Sequence, residues 1–281
     1  MTEMKPSELQ RFLDIATEAA LAGGAVLEKF WGKLTHVEQK GRPGDLVTEA
    51  DKASEAAILS VLHRHLPVDH AILAEESGQA GSASSPYLWA IDPLDGTTNY
   101  AHQYPFCAVS IGLLIDNQPM LGVIYDPVHQ DLFRAAKGFG ATRNRQPIRV
   151  STTENLADSL LVTGFAYDRR ETSDNNYAEF CHFTHLTQGV RRGGAASIDL
   201  AYVACGRLDG YWERGLSPWD LAAGVVLVEE AGGQVSAYNG DSFDIWSGRI
   251  LASNSRIHSA MRVTLEQISP LPQFTLEKSE E

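Results

Sequence analysis

The sequence predicts a layered α+β fold. Three observations carry that prediction: a long helical hydrophobic period near the N-terminus, a cluster of short apolar runs after it, and a second half in which helices and strands interleave without the βαβα rhythm of a doubly wound parallel sheet. With 281 residues, 43% of them hydrophobic and 21% charged, the chain can bury a sizeable core and is not globally disordered. Its length suits two α+β halves, 1–150 and 151–270, followed by a loose tail at 271–281.

Taken in order, Leu9, Phe12, Leu13, Ala16, Ala20, Leu27 and Phe30 recur at near-helical spacing and predict a helix over 7–31. Gly23-Gly24 inside it marks a close helix contact or a kink. Gly41-Arg42-Pro43-Gly44 reads as a loop. Thr48 and Asp51 then form a capping pair for a second helix over 49–66, with Ile58, Leu59, Leu62 and Leu66 as its apolar face. Strands follow at Ala71–Ala74, Tyr87–Ile91, Phe106–Ile115, Met120–Tyr125 and Asp131–Ala136. The third and fourth of these pair as a hairpin across Asp116-Asn117-Gln118-Pro119. Ser151–Leu156 connects to a second half with strands at 159–163, 234–238 and 249–252, and helices near 176–187, 196–205, 218–231 and 255–267. The sequence contains no internal repeat.

Lysine and arginine number 23 against 36 acidic residues, a formal charge of −13. That balance argues against non-specific nucleic-acid binding and would repel an anionic substrate unless cations intervene. No apolar run is long enough to span a membrane, and the polar N-terminus does not resemble a signal peptide, so no membrane association is expected. Cys107, Cys181 and Cys205 are odd in number and far apart. They supply neither a disulfide framework nor a zinc site, and a reducing, cytoplasmic location is expected. His182 and His185 are three apart on a predicted helix, but no nearby carboxylate completes a metal set, so a surface or core role is expected.

The chemistry lies in the acids. In Trp89-Ala90-Ile91-Asp92-Pro93-Leu94-Asp95-Gly96-Thr97-Thr98-Asn99 an apolar strand runs into Asp92, Pro93 is expected to break it, and Asp95-Gly96 makes a turn. Two carboxylates so placed converge, the turn frees the Leu94 carbonyl, and these are the oxygen donors that hard divalent ions accept. The backbone N–H groups of Gly96, Thr97 and Thr98 suit a bound phosphate. Glu75-Glu76 ends a buried strand; Asp45, Glu49 and Asp51 surround a helix start; Asp220 follows Ser217-Pro218 at another. Each site has an ordinary structural explanation as a turn or a helix cap. Four acidic sites at element ends together match the inventory of metal-assisted phosphoryl chemistry.

The segments Gly44–Asp51, Glu75-Glu76-Ser77, Trp89–Asn99 and Trp219-Asp220-Leu221-Ala222-Ala223-Gly224, with Glu229-Glu230-Ala231-Gly232-Gly233 after them, resemble the inositol monophosphatase family over roughly residues 8–268. The resemblance implies an α-β-α-β-α sandwich of the inositol monophosphatase and fructose-1,6-bisphosphatase type. It also implies hydrolysis of a phosphate monoester, myo-inositol 1-phosphate first, by activated water without a phosphoenzyme. Two or three Mg²⁺ ions, lithium sensitivity and a homodimer are further implications. By the same resemblance Glu75, Asp92 and the Leu94 carbonyl hold one metal, and Asp92, Asp95 and Asp220 a second. Asp51 and Thr97 orient and deprotonate the water, with Glu75 beside them. Gly96 and Thr97 contact the phosphate; Glu213, Gly194, Ala195, Ala196 and Asp220 line the substrate pocket; and Lys40 lies near the metals.

Two positions depart from the family pattern: Ala74 where relatives commonly have glycine, and Ala195 where they commonly have a hydroxyl, which here comes only at Ser197. The second bears on substrate identity. Fructose 1,6-bisphosphate and histidinol phosphate therefore stay open as substrates, as does a regulatory binding role without catalysis. Asp92 and Asp95 are three apart and do not form the Asp-x-Asp of the haloacid dehalogenase phosphatases. No P-loop or Gly-x-Ser-x-Gly elbow is present. Arg191-Arg192 reads as a contact to a substrate phosphate, a partner, or a surface ion pair.

Overall fold

The structure, a computed structural model, describes residues 4–271. Helix α1 spans Pro6–Phe30, with proline at its first turn where a missing N–H costs nothing. Its buried face includes Leu9, Phe12, Leu13, Ala16 and Leu27. Gly23 and Gly24 mark close contacts, not a kink. A side chain at Gly23 would run into Ile58, and one at Gly24 into the Tyr125 ring. Strands β1 (Val37–Gln39) and β2 (Leu46–Thr48) pair antiparallel around the expected loop, and neither was legible in the sequence. Helix α2 (Glu49–His65) starts on the predicted Thr48–Asp51 capping box.

The first sheet holds β3 (Ala71–Ala74), β4 (Gly78–Ala80), β5 (Tyr87–Asp95), β6 (Ala108–Ile115), β7 (Gln118–Asp126), β8 (Asp131–Ala136), β9 (Gly140–Arg143) and β10 (Gln146–Pro147); the one-turn helix α3 (Thr97–Ala101) follows β5. Its order is β10-β9-β8-β7-β6-β5-β3-β4, and within it only β3 and β5 run parallel. The expectation that Pro93 breaks its strand is corrected. The ladder pairs Asp92 with Ser110 and Asp95 with Ala108, so Pro93 and Leu94 bulge out where a missing N–H costs no ladder bond. The predicted four-residue hairpin turn is also tighter. Asp116 and Asn117, both at positive φ, make it alone, and Gln118 and Pro119 belong to β7.

The second sheet holds β11 (Leu160–Thr163), β12 (Gly189–Arg192), β13 (Gly210–Arg214), β14 (Gln234–Ser236) and β15 (Arg249–Ser253), in the order β12-β11-β13-β15-β14. Helices α4 (Tyr177–Leu186), α5 (Ala196–Ala204), α6 (Pro218–Glu230) and α7 (His258–Gln267) lie within two or three residues of their predicted bounds. Strands β4, β9, β10, β12 and β13 were not predicted.

The layers run α1/α2, first sheet, α5/α6, second sheet, α4/α7. The middle core joins Ala90, Leu114 and Phe133 of the first sheet to Val162, Tyr211 and Ile250 of the second through α5 and α6. Gly112 and Gly122, cross-strand partners on β6 and β7, let the α6 backbone lie directly on the sheet. A Cβ on Gly112 would stand 2.9 Å from Ala223 N, and one on Gly122 2.7 Å from Ala223 C. That approach aims the N-terminus of α6 at the carboxyl ends of β3 and β5. No described helix is long and apolar enough to cross a membrane. Apart from Leu271, the tail expected to be loose lies outside the described residues.

Candidate active site

Where β3, β5, α5 and α6 meet, the structure forms a pocket of about 410 Å³. Lys40, Glu75, Asp92, Leu94, Asp95, Thr97, Glu213 and Asp220 all line it, although they are scattered over the chain. Parallel pairing explains the first group. β3 and β5 run side by side, Glu75 N continues their ladder to Ile91 O at 3.1 Å, and the two carboxyl ends deliver Glu75 beside Asp92 and Asp95.

Each acid is also tied into the fold. Asp51, fully buried in the first turn of α2, accepts from Thr48 N at 2.9 Å and Thr48 Oγ1 at 2.5 Å through Oδ2, and turns Oδ1 toward Thr97. Thr97 Oγ1 lies 3.0 Å from Asp51 Oδ1 and 3.0 Å from Leu94 O. Asp92 Oδ1 accepts from Leu94 N at 2.9 Å across the bulge. Asp95 Oδ2 accepts from Ser197 N at 2.7 Å and Ser197 Oγ at 2.5 Å. Asp220 Oδ2 accepts from Ser217 N at 2.7 Å, closing the capping box of α6. Capping and pocket lining therefore coexist in Asp220, and in Asp51 capping coexists with the contact to Thr97 at the pocket wall.

The electrostatics are those of crowded buried carboxylates. Burial first, then the negative charge of Glu75, Asp95 and Asp220, push Asp92 well above the usual carboxylate range. Asp220 is raised in the same way by burial and by Asp95. Burial pushes Asp95 up to about 6 despite the Ser197 hydrogen bonds. Glu75 is raised by burial, against the pull of Lys40. Lys40 Nζ donates to Glu75 Oε1 at 3.0 Å and pairs with Glu76. One ammonium does not balance this cluster.

The donor set, carboxylates and one backbone carbonyl, fits a hard divalent cation, and the raised pKa values show that positive charge would be stabilised here. The hydrogen bonds to Ser197, Ser217 and Leu94 hold the carboxylates around the pocket wall. Among the described residues, no three His, Cys, Asp or Glu side chains already stand in a closed metal cage.

The sequence profile of the inositol monophosphatase family matches residues 8–269. The chain belongs to the inositol monophosphatase family. It is 63% identical over 260 residues to an inositol-1-monophosphatase of Synechocystis sp., covering 92% of this chain and 90% of that one. Nus factor SuhB of Pseudomonas aeruginosa is 40% identical over 267 residues, covering 93% and 98%. The solved structure of an inositol monophosphatase from Anabaena (Nostoc) sp. matches at a TM-score of 0.86 and 63% identity, covering 94% of this chain and 98% of that one. The five layers described above agree with that fold.

Within the family pattern, Gly96 takes φ 86°, where a side chain would be strained and its Cβ would stand 2.9 Å from Phe106 O. It turns the chain into α3, so the amides of residues 96–98 open beside the acids. Gly194, Ala195 and Ala196 line the far side of the pocket, and Asn99 Nδ2 fastens that loop by donating to Phe106 O at 2.8 Å and Gly193 O at 3.0 Å. Glu213 accepts from Tyr211 Oη at 2.7 Å; burial pushes it up to about 7. Ser197 is turned to Asp95, so its hydroxyl does not replace the one missing at Ala195.

Asp45 lines the pocket, whereas Glu49 faces away and accepts from Thr35 N at 2.6 Å. His182 and His185 are exposed on α4, Cys107 is buried, Cys205 half-buried and Cys181 exposed. Sequence reasoning did not assign Tyr167 and Arg169 to the pocket wall, nor see Ser197 as the partner of Asp95; of the readings offered for Arg191-Arg192, the structure puts Arg192 in the pocket wall. A hydroxyl two positions after the pocket glycine-alanine pair was visible, but its direction was not.

Proposed function

We propose that the chain is a Mg²⁺-dependent phosphatase of small phosphorylated polyols, with myo-inositol 1-phosphate as its first substrate. The observation that carries this reading is the convergence of Glu75, Asp92, Asp95 and Asp220 on one pocket beside the Asp51–Thr97 pair. The 63% identity to a protein named inositol-1-monophosphatase supports the choice of substrate. Glu75, Asp92 and the Leu94 carbonyl would hold one cation, and Asp92, Asp95 and Asp220 another, with two or three ions in all. When bound, the cations supply the positive charge that an anionic substrate needs here and lower the pKa of water. The site lies between an N-terminal half, 1–150, with most of the acids, and a C-terminal half, 151–270, with Asp220 and Glu213.

The chain's own groups do the rest. Thr97 Oγ1, donating to Asp51 Oδ1, has lone pairs left to accept a proton from the attacking water; the proton passes through Thr97 toward Asp51. Burial raises the pKa of Asp51, which suits it to take up that proton. Glu75 helps orient the same water. Water attacks phosphorus in line, the bond to the ester oxygen breaks, and the leaving alkoxide takes up a proton from a second, solvent water, whose hydroxide is neutralised by the proton that Asp51 returns to solvent. The amides of Gly96 and Thr97 hold the phosphate. Glu213 accepts from ring hydroxyls against the wall formed by Gly194, Ala195 and Ala196.

The test is phosphate release from myo-inositol 1-phosphate, fructose 1,6-bisphosphate and histidinol phosphate, with Mg²⁺ and with EDTA. Mg²⁺-dependent preference for the inositol ester is expected; preference for another ester would keep the mechanism and change the substrate. Silence on all three would favour a regulatory binding role, to which the 40% identity with a Nus factor lends weight. A cytoplasmic homodimer sensitive to lithium completes the proposal, and sedimentation and inhibition assays check those two properties.

A further inference from the structure

At the end of β12, Arg192 stands in the pocket wall without a carboxylate at ion-pair distance among the described residues. Arg42, Arg134, Arg143, Arg207, Arg214 and Arg249, by contrast, each reach an acid.

The sheet explains its position. β11 pairs in parallel with both neighbours, setting Thr163 opposite Arg192 on one side and opposite Trp212 on the other. At the carboxyl ends of these three strands, the usual place for a ligand in a parallel arrangement, the chain therefore puts Arg192 on one side, Gly164 in the middle and Glu213 on the other. β12 and β13 flank β11, so the two charged residues rise from backbones roughly 10 Å apart. Position 164 is glycine, and the Glu213 carboxylate lies over it, in the space a side chain there would fill. The Arg192 guanidinium folds back over Gly194, whose φ of 87° and missing side chain leave room for it.

We propose that Arg192 is a specificity-determining residue: from the Gly194 side of the pocket it donates to a ring hydroxyl of the polyol, while Glu213, over Gly164, accepts from another. The proposal rests on the phosphatase reading. A donor and an acceptor lining one pocket recognise a polyol by its hydroxyls; a phosphate ester without ring hydroxyls engages neither. The pair also supplies a polar contact in a pocket where Ala195 offers no hydroxyl.

The test compares steady-state kinetics on myo-inositol 1-phosphate and on p-nitrophenyl phosphate, with saturating Mg²⁺, for wild type, Arg192→Met and Arg192→Lys. Arg192→Met should raise KM for the inositol ester about tenfold or more, the loss of one charge-assisted hydrogen bond, and leave its kcat within about threefold. Its kcat/KM on the aryl ester should stay within about threefold of wild type, and Arg192→Lys should recover part of the loss. Equal losses on both esters, or an unchanged inositol KM, would overturn the proposal. Wild-type enzyme inactive on the inositol ester would instead overturn the phosphatase reading beneath it.

Discussion

Replacing Asp95 by asparagine should stabilise the protein in EDTA while stopping catalysis. Asp95 is 8% exposed and shares its pocket with Glu75, Asp92 and Asp220. Burial and that company raise its pKa from 3.8 to about 6, so keeping it ionised in the folded state at neutral pH costs about 3 kcal/mol. The sign follows from proton linkage. The folded state binds this proton more tightly than the unfolded chain, so the stability is fully present below the unfolded pKa and is lost as pH rises through the folded one. Asparagine stands in for the protonated form and escapes the cost. It loses the charge-assisted part of the bonds from Ser197 N and Oγ, which trims the gain to about 1–3 kcal/mol. At about 2 °C per kcal/mol for a chain of this size, Tm in EDTA near pH 7.5 should rise by about 2–6 °C. The assay is a thermal melt in EDTA across pH, repeated with Mg²⁺, beside phosphate release. The advantage of Asp95→Asn should vanish near pH 4, where the wild-type carboxyl is already protonated in the folded state. Mg²⁺ should reverse the order, because wild type gains binding energy that a variant missing a ligand does not. A variant that melts below wild type in EDTA at neutral pH, or whose advantage is as large at pH 4 as at pH 8, would refute the claim that this carboxylate is held under electrostatic stress. Near-normal turnover at saturating Mg²⁺ would remove Asp95 from the site altogether.

Three further outcomes test other parts of the site. Thr97→Val keeps the shape and removes the hydroxyl between Asp51 and the pocket; phosphate release should fall by about 10²–10⁴ with KM little changed. Glu213→Gln should flatten the preference among polyol phosphates while leaving an aryl phosphate turned over at near wild-type rate, and equal loss on all esters would contradict its assignment to the ring. Gly122→Ala drives a methyl group into the Ala223 backbone of α6, so denaturant melts should show about 1–3 kcal/mol of destabilisation. Because α6 carries Asp220, activity at limiting Mg²⁺ should drop with it.

The structure separates what was readable in the chain from what was not. The helical period of Leu9, Phe12, Leu13, Ala16 and Leu27 reports a single face, and α1 formed within a residue of the predicted bounds because that period is written in the local sequence. The Thr48–Asp51 box was equally local, since both partners lie within one turn. Pro93 misled because proline's missing N–H forbids a paired strand position. Whether the chain ends there or bulges past it depends on β6, which lies across the sheet. β13 escaped notice although it is the centre of the second sheet. Gly210-Tyr211-Trp212-Glu213-Arg214 places two ionisable groups in a short run, and only Tyr211 and the pocket explain why Glu213 is buried there. Ser197 was seen only as the first hydroxyl after Ala195, and the first turn of α5 points it at Asp95.

By itself the sequence determined the acids and their chemistry. Asp92, Asp95, Glu75, Asp220 and Asp51 are recognisable because oxygen donors at element ends follow from residue type and from local strand and helix starts. Tertiary structure alone decided which of them meet, how far burial and mutual repulsion raise their pKa values, and what stands opposite Glu213. Those properties come from pairings between residues far apart in the chain: β3 beside β5, α6 laid on Gly112 and Gly122, β12 and β13 on either side of β11. Proximity and dielectric environment arise only when distant segments pack, and no local period in the chain encodes them.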